Sequence, residues 1–86
     1  MKYELRLSNR AQRDLDGLQQ KDFSRILKAL QRLEENPHIG YPLLGKLKGR
    51  WKLRVGMFRI IYAIEENELH VLVITIGHRR EVYKRK

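Results

Sequence analysis

Residues Arg50-Trp51-Lys52-Leu53-Arg54-Val55 alternate basic and apolar side chains, and Gly56-Met57-Phe58-Arg59-Ile60-Ile61-Tyr62 follow them. Alternation with a period of two is the mark of a strand with two unlike faces. Trp51, Leu53 and Val55 fall on one face, and Arg50, Lys52 and Arg54 on the other. Gly56 suits the first position of a two-residue hairpin turn, whose twist matches that of the strands it joins. With Gly56-Met57 as the turn, Val55 pairs with Phe58, Arg54 with Arg59, and Lys52 with Ile61. This register makes Lys52, Arg54 and Arg59 neighbours on one face. Like charges placed opposite each other destabilise a sheet, so their gathering suggests an anionic partner.

The charge distribution agrees with that suggestion. The net charge is +9, and it is uneven. Residues 1–40 hold 8 Lys/Arg against 6 Asp/Glu, whereas residues 41–86 hold 11 against 4. A field of this kind favours nucleic acid, with an acidic protein second. There is no cysteine, which excludes disulfides and thiolate metal sites and is compatible with a reducing cytoplasm. The three histidines, His38, His70 and His78, lack metal-ligand spacing, so no metal or cofactor is expected. The N-terminal residues lack the apolar core of a signal peptide, and no apolar run approaches a membrane span.

The chain of 86 residues fits one domain, 1–86, with a modest core. Residues 2–7 read as a short strand. Ser8 caps a helix from Asn9 to about Gln19, with Ala11, Leu15 and Leu18 as its apolar stripe and Gly17 weakening its end. Asp22 is expected to cap a second helix, Phe23 to Glu35. That helix would bury Phe23, Ile26, Leu27, Leu30 and Leu33 and turn Arg25, Lys28, Arg32 and Glu35 to water; Pro37 stops it. Residues 36–49 read as irregular. Three strands follow, about 49–55, 58–65 and 68–76, the last two joined at Glu66-Asn67. The third is almost continuously apolar and is expected to be covered on both faces, with Gly77 onward leaving the sheet. The fold class is therefore α+β. A strand and a helical hairpin precede a three-stranded antiparallel meander, forming one sheet with helices on one face.

In element order and in four segments, the chain resembles the RelE/ParE superfamily of bacterial and archaeal toxins. The segments are Pro42-Leu43-Leu44-Gly45-Lys46-Leu47-Lys48-Gly49, Trp51 to Gly56, Phe58 to Tyr62, and Gly77-His78-Arg79-Arg80-Glu81-Val82-Tyr83. The resemblance implies a type II toxin held in a hetero-oligomer with a RelB-like antitoxin. RelE-like members cut mRNA in the ribosomal A site with a basic sheet face, without a metal, in the cytoplasm. ParE-like members poison DNA gyrase and lack most of that face. In the RelE pattern the alternating basic residues match Arg50 and Lys52, the arginine after the turn matches Arg59, the segment after the last strand matches Gly77-His78-Arg79, and the closing tyrosine matches Tyr83.

The roles expected on this basis follow from cleavage by the RNA's own 2′-hydroxyl, which needs alignment, a base, an acid and charge stabilisation. Arg59 holds the scissile phosphate, Arg54 or Lys52 stabilises the phosphorane, Arg79 assists the leaving oxygen, and Tyr83 stacks on a base or positions the 2′-hydroxyl. Lys52 or His78 is the candidate for proton transfer, with Glu81 orienting His78. Lys48, Arg50, Arg80 and Lys84 add phosphate contacts. The competing reading of Lys52 and Arg54 is the solvated face of an edge strand; that of Arg59 is an ion pair with Glu81. Trp51 is expected in the core, and His38 carries no signal. The alternatives to a ribonuclease are a gyrase poison and a noncatalytic RNA- or ribosome-binding module.

Overall fold

The computed structural model describes residues 2–78. A five-stranded sheet contains β1 (Glu4–Leu7), β2 (Tyr41–Pro42), β3 (Arg50–Val55), β4 (Phe58–Glu65) and β5 (His70–His78), in the spatial order β1-β5-β4-β3-β2. All neighbours are antiparallel except β1 and β5. The helices α1 (Asn9–Asp16) and α2 (Gln20–Glu35) cover one face. Ala11 and Leu15 from α1 and Ile26, Ala29, Leu30 and Leu33 from α2 meet Leu53, Ile60, Tyr62, Val71, Val73 and Ile76 from the sheet. Folding is driven by the removal of these apolar side chains from water.

Local chemistry explains where the elements differ from expectation. The Ser8 hydroxyl accepts the Ala11 N–H at 3.0 Å, the N-cap bond the sequence anticipates. However, α1 ends at Asp16 rather than Gln19, because the Gly17 N–H closes the last turn on Arg13 at 3.1 Å. The next helix starts three residues before the expected Phe23. The Phe23 N–H already bonds the Gln19 carbonyl at 2.8 Å. Asp22 therefore sits inside the first turn, where its charge faces the positive end of the helix dipole, and does not cap. Leu27 is 40% exposed, and Ala29 is buried in its stead.

The expected irregular segment contains two short 3-10 turns, Pro37–Ile39 and Gly45–Leu47, and the two-residue strand β2. The β4–β5 connection runs over four residues, 66–69. Its last residue, Leu69, adopts φ +55°, and the Leu69 carbonyl accepts the Glu4 N–H at 2.8 Å where β1 joins the sheet. Two expectations for β5 are corrected. The strand does not end at Ile76: Gly77 pairs with Arg59 and His78 with Phe58. Nor are both its faces covered, since Leu72 is 40% exposed on the side away from the helices.

Candidate RNA-binding face

The β3–β4 register is the expected one: Val55 lies opposite Phe58, Arg54 opposite Arg59, Leu53 opposite Ile60, and Lys52 opposite Ile61. Gly56 turns the hairpin at φ +60°, a conformation that favours glycine. Buried Leu53 and Ile60 fix the orientation of the hairpin. A slip of one residue would put cations in the core, so the open face must carry the alternate residues Arg50, Lys52, Arg54 and Arg59.

Across the open face these residues form rows. One row runs Arg54, Arg59, Gly77, and the next runs Tyr41, Lys52, Ile61, Thr75. A Cβ added to Gly77 would meet no atom of the described residues within 4 Å, so among these residues the floor beside Arg59 is open. Lys52 and Arg59 are half-buried, and Arg50, Arg54 and Lys48 are exposed. Among the described residues, acidic side chains make ion pairs with Lys2, Arg6, Arg10, His38 and His70 and with none of Lys52, Arg54 or Arg59. Cations that no described acid pairs with, set around such a floor, can hold a phosphate from several sides.

The site residues expected from the sequence divide into three groups. Lys52, Arg54, Arg59 and Arg50 share the open face. Lys48 follows the second 3-10 turn at the approach to β3. His78 pairs with Phe58, and its ring meets the Phe58 ring edge-on at 5.1 Å. Phe58 packs against the core, so the register sets His78 on the face of β5 that Phe58 shares, whereas Gly77 shares the face of Arg59. Arg79, Arg80, Tyr83, Lys84 and Glu81 lie outside the described residues.

The structure adds one residue that the sequence did not single out. Tyr41 is 65% exposed and sits directly opposite Lys52 on the same face. An exposed aromatic beside a cation is a stacking platform for a base. Pro42 was the available signal, because proline within a sheet is confined to edges, but nothing in the sequence gave its strand a register.

His38 and Trp51 belong to a separate polar cluster at the other end of the sheet. Trp51 stacks on Tyr62 with ring centroids 6.4 Å apart and receives the edge of His38 at 5.4 Å. His38 Nε2 lies 2.7 Å from one Glu66 oxygen, and the Tyr3 hydroxyl donates to the other at 2.9 Å. These bonds hold the Glu66 carboxyl below its ordinary range, the His38 contact contributing most, and raise Tyr3. Among the described residues no three metal-ligating side chains gather, and no helix is long and apolar enough to cross a membrane.

The geometry has known counterparts. A family model described as the ParE toxin of type II toxin–antitoxin systems matches residues 5–83. Toxin RelG of Mycobacterium tuberculosis (strain ATCC 25618 / H37Rv) is 30% identical over 87 residues, which cover 99% of this chain and 100% of that protein. Toxin RelE of the same organism is 32% identical over 84 residues, covering 95% and 87%. Among solved structures, the RelBE2 toxin–antitoxin complex of M. tuberculosis superposes with a TM-score of 0.86 at 27% identity over 92% of this chain and 93% of that one. The isolated E. coli RelE toxin gives 0.78 at 26% identity over 95% and 92%. Since the family model spans nearly the whole chain, the chain belongs to the RelE/ParE superfamily and is a toxin of the type II toxin–antitoxin kind.

Proposed function

We propose that this toxin is a metal-independent endoribonuclease that cuts mRNA in the ribosomal A site. The observation that carries the reading is the Arg54–Arg59 pair. The two cations stand directly opposite each other with no acidic partner among the described residues. Such an arrangement costs stability unless an anion joins it. Lys52 lies one row away, on the same face.

In the reaction, the 2′-oxygen attacks the adjacent phosphorus as its proton leaves, the bond to the 5′-oxygen breaks, and that oxygen takes a proton. A 2′,3′-cyclic phosphate and a 5′-hydroxyl result. Arg59 and Arg54 hold the non-bridging oxygens and stabilise the charge that grows on them. Lys52, one row away on the same face, is the candidate for receiving the 2′-hydroxyl proton, and Tyr41 stacks a neighbouring base. Arg79 and Tyr83, in the segment after β5, are the candidates for assisting the leaving oxygen and seating the substrate. The site of action is the cytoplasm, and the antitoxin is RelB-like, as in the toxin–antitoxin complexes this fold matches.

A ParE-like gyrase poison is the second reading, favoured by the description of the matching family model. Primer extension on mRNA in programmed ribosomes tests the first. A-site cuts by the wild type that vanish with Arg59→Ala support the nuclease. No cuts, alongside inhibition of gyrase supercoiling, would transfer the assignment.

A further inference from the structure

The exposed side of α2 carries a second set of cations that the sheet face does not use. Lys21, Arg25, Lys28 and Arg32 are all exposed and follow one another at spacings of four, three and four residues. At about 100° per residue these four lie within about 60° of one another around the helix, in a stripe about 16 Å long. None has an acidic partner among the described residues; the acid at the end of the helix, Glu35, is 3.8 Å from Lys2 instead. Like charges three and four residues apart destabilise a helix, and here three such contacts run in succession.

The stripe is not isolated from the sheet face. The Arg25 guanidinium lies over the β3–β4 turn, where Nη1 would be 2.9 Å from a Cβ placed on Gly56. That turn joins Val55 to Phe58, next to the Arg54–Arg59 pair. The cations of α2 and those of the open face therefore meet around one end of the hairpin from opposite sides of the sheet.

We propose that the α2 stripe is a second binding surface for the phosphate backbone of double-helical RNA. It positions the toxin on folded RNA while the sheet face engages a single strand. Charge complementarity selects the occupant. A row of cations of nearly constant angle and rise matches a regular array of phosphates, and it has no apolar anchor at its centre of the kind a protein interface uses. The inference rests on the chain acting at RNA but not on its cutting RNA.

The test uses the full chain, a short mixed-sequence RNA duplex and poly-glutamate as probes, and a salt titration. The combined variant Lys21→Gln, Arg25→Gln, Lys28→Gln, Arg32→Gln keeps good helix formers throughout. Its duplex affinity falls roughly tenfold to hundredfold, and its slope of log K against log salt shrinks by about 3.6. If the combined variant fails to fold, Arg25→Gln and Lys28→Gln singly must each reduce the slope by nearly 1. Unchanged affinity and slope overturn the proposal. So does wild-type binding to poly-glutamate as tight as to the duplex and equally lost in the variant, which would make an acidic protein the occupant. Duplex binding that behaves as expected in a protein that cuts no mRNA would sink the nuclease reading alone.

Discussion

Asp14 Oδ2 accepts the backbone N–H of Ile76 at 3.0 Å, tying α1 to the strand that borders the basic face. The β4–β5 ladder shifts register between Ile61 and Tyr62, with Thr75 opposite the first and Val73 opposite the second. Ile74 is the extra residue, and its carbonyl accepts the Ser8 hydroxyl at 2.7 Å. Two side chains of the α1 region thus satisfy backbone groups at the bulge, and the bulge aligns Gly77 with Arg59. Asp14→Ala leaves the Ile76 N–H without its acceptor and is expected to cost about 1–3 kcal/mol. Urea denaturation measures the loss, and faster hydrogen exchange at the Ile76 amide locates it.

Gly40 allows the chain to pass against β3. A Cβ there would collide with the Tyr62 hydroxyl and stand 2.5 Å from the Lys52 carbonyl oxygen. The Tyr62 hydroxyl is already fixed by donating to the Pro37 carbonyl at 2.7 Å, so the backbone must give way. Gly40→Ala is expected to destabilise by about 1–3 kcal/mol, the usual range for overpacking. Because the contact is with Lys52, the amide resonances of Tyr41 and Lys52 should shift the most in NMR spectra of the variant.

Arg54 and Arg59 should separate function from stability. Arg54→Gln removes a like-charge pair and is expected to leave stability unchanged or raise it by roughly 0.2–1 kcal/mol. Arg59→Ala is expected to lower single-turnover cleavage on programmed ribosomes by about 10²–10³, as for loss of one preorganised donor to a charged intermediate. A fall in thermal midpoint for Arg54→Gln would mean that the pair has a structural counter-ion and would argue against an anion-binding role.

The Tyr3–Glu66–His38 cluster predicts a pH dependence with a defined sign. Glu66 has a folded pKa below its ordinary value of 4.5, chiefly through His38 and then Tyr3. Its stabilising effect is therefore fully present above about pH 4.5 and is lost as pH falls through the depressed value. Tyr3 is shifted the other way, above 10.0, so its effect is present below pH 10 and is lost as pH rises through the raised value. Glu66→Gln should flatten the acid limb of the stability curve, and Tyr3→Phe the alkaline limb. Equal curves for Glu66→Gln and wild type below pH 5 would show that the cluster contributes nothing.

The hairpin was legible because its information is local. Alternation assigned faces to Arg50 through Val55, and a single glycine placed the turn, so the Arg54–Arg59 pairing followed without any other part of the chain. Ser8 was legible for the same reason. The start of α2 was not, because Gln19 and Gln20 give no capping signal. The end of β5 was not legible either, because Gly77 was read as leaving the sheet after Ile76. Two further paired residues carried the alternation on, turning His78 toward Phe58. Tyr41 was missed because two residues of strand have no periodicity to read.

By itself, then, the sequence determined the α+β element order, the register of the basic hairpin and the family to which the chain is assigned, all carried by residues near one another in the chain. Only the tertiary structure decided which residues from distant segments share a surface. It brought Tyr41 beside Lys52, Gly77 beside Arg59, Asp14 to the bulge in β5, and Arg25 over the hairpin turn. The physical reason is that side-chain periodicity encodes the faces of single elements, whereas neighbours across elements are set by which faces can be buried together.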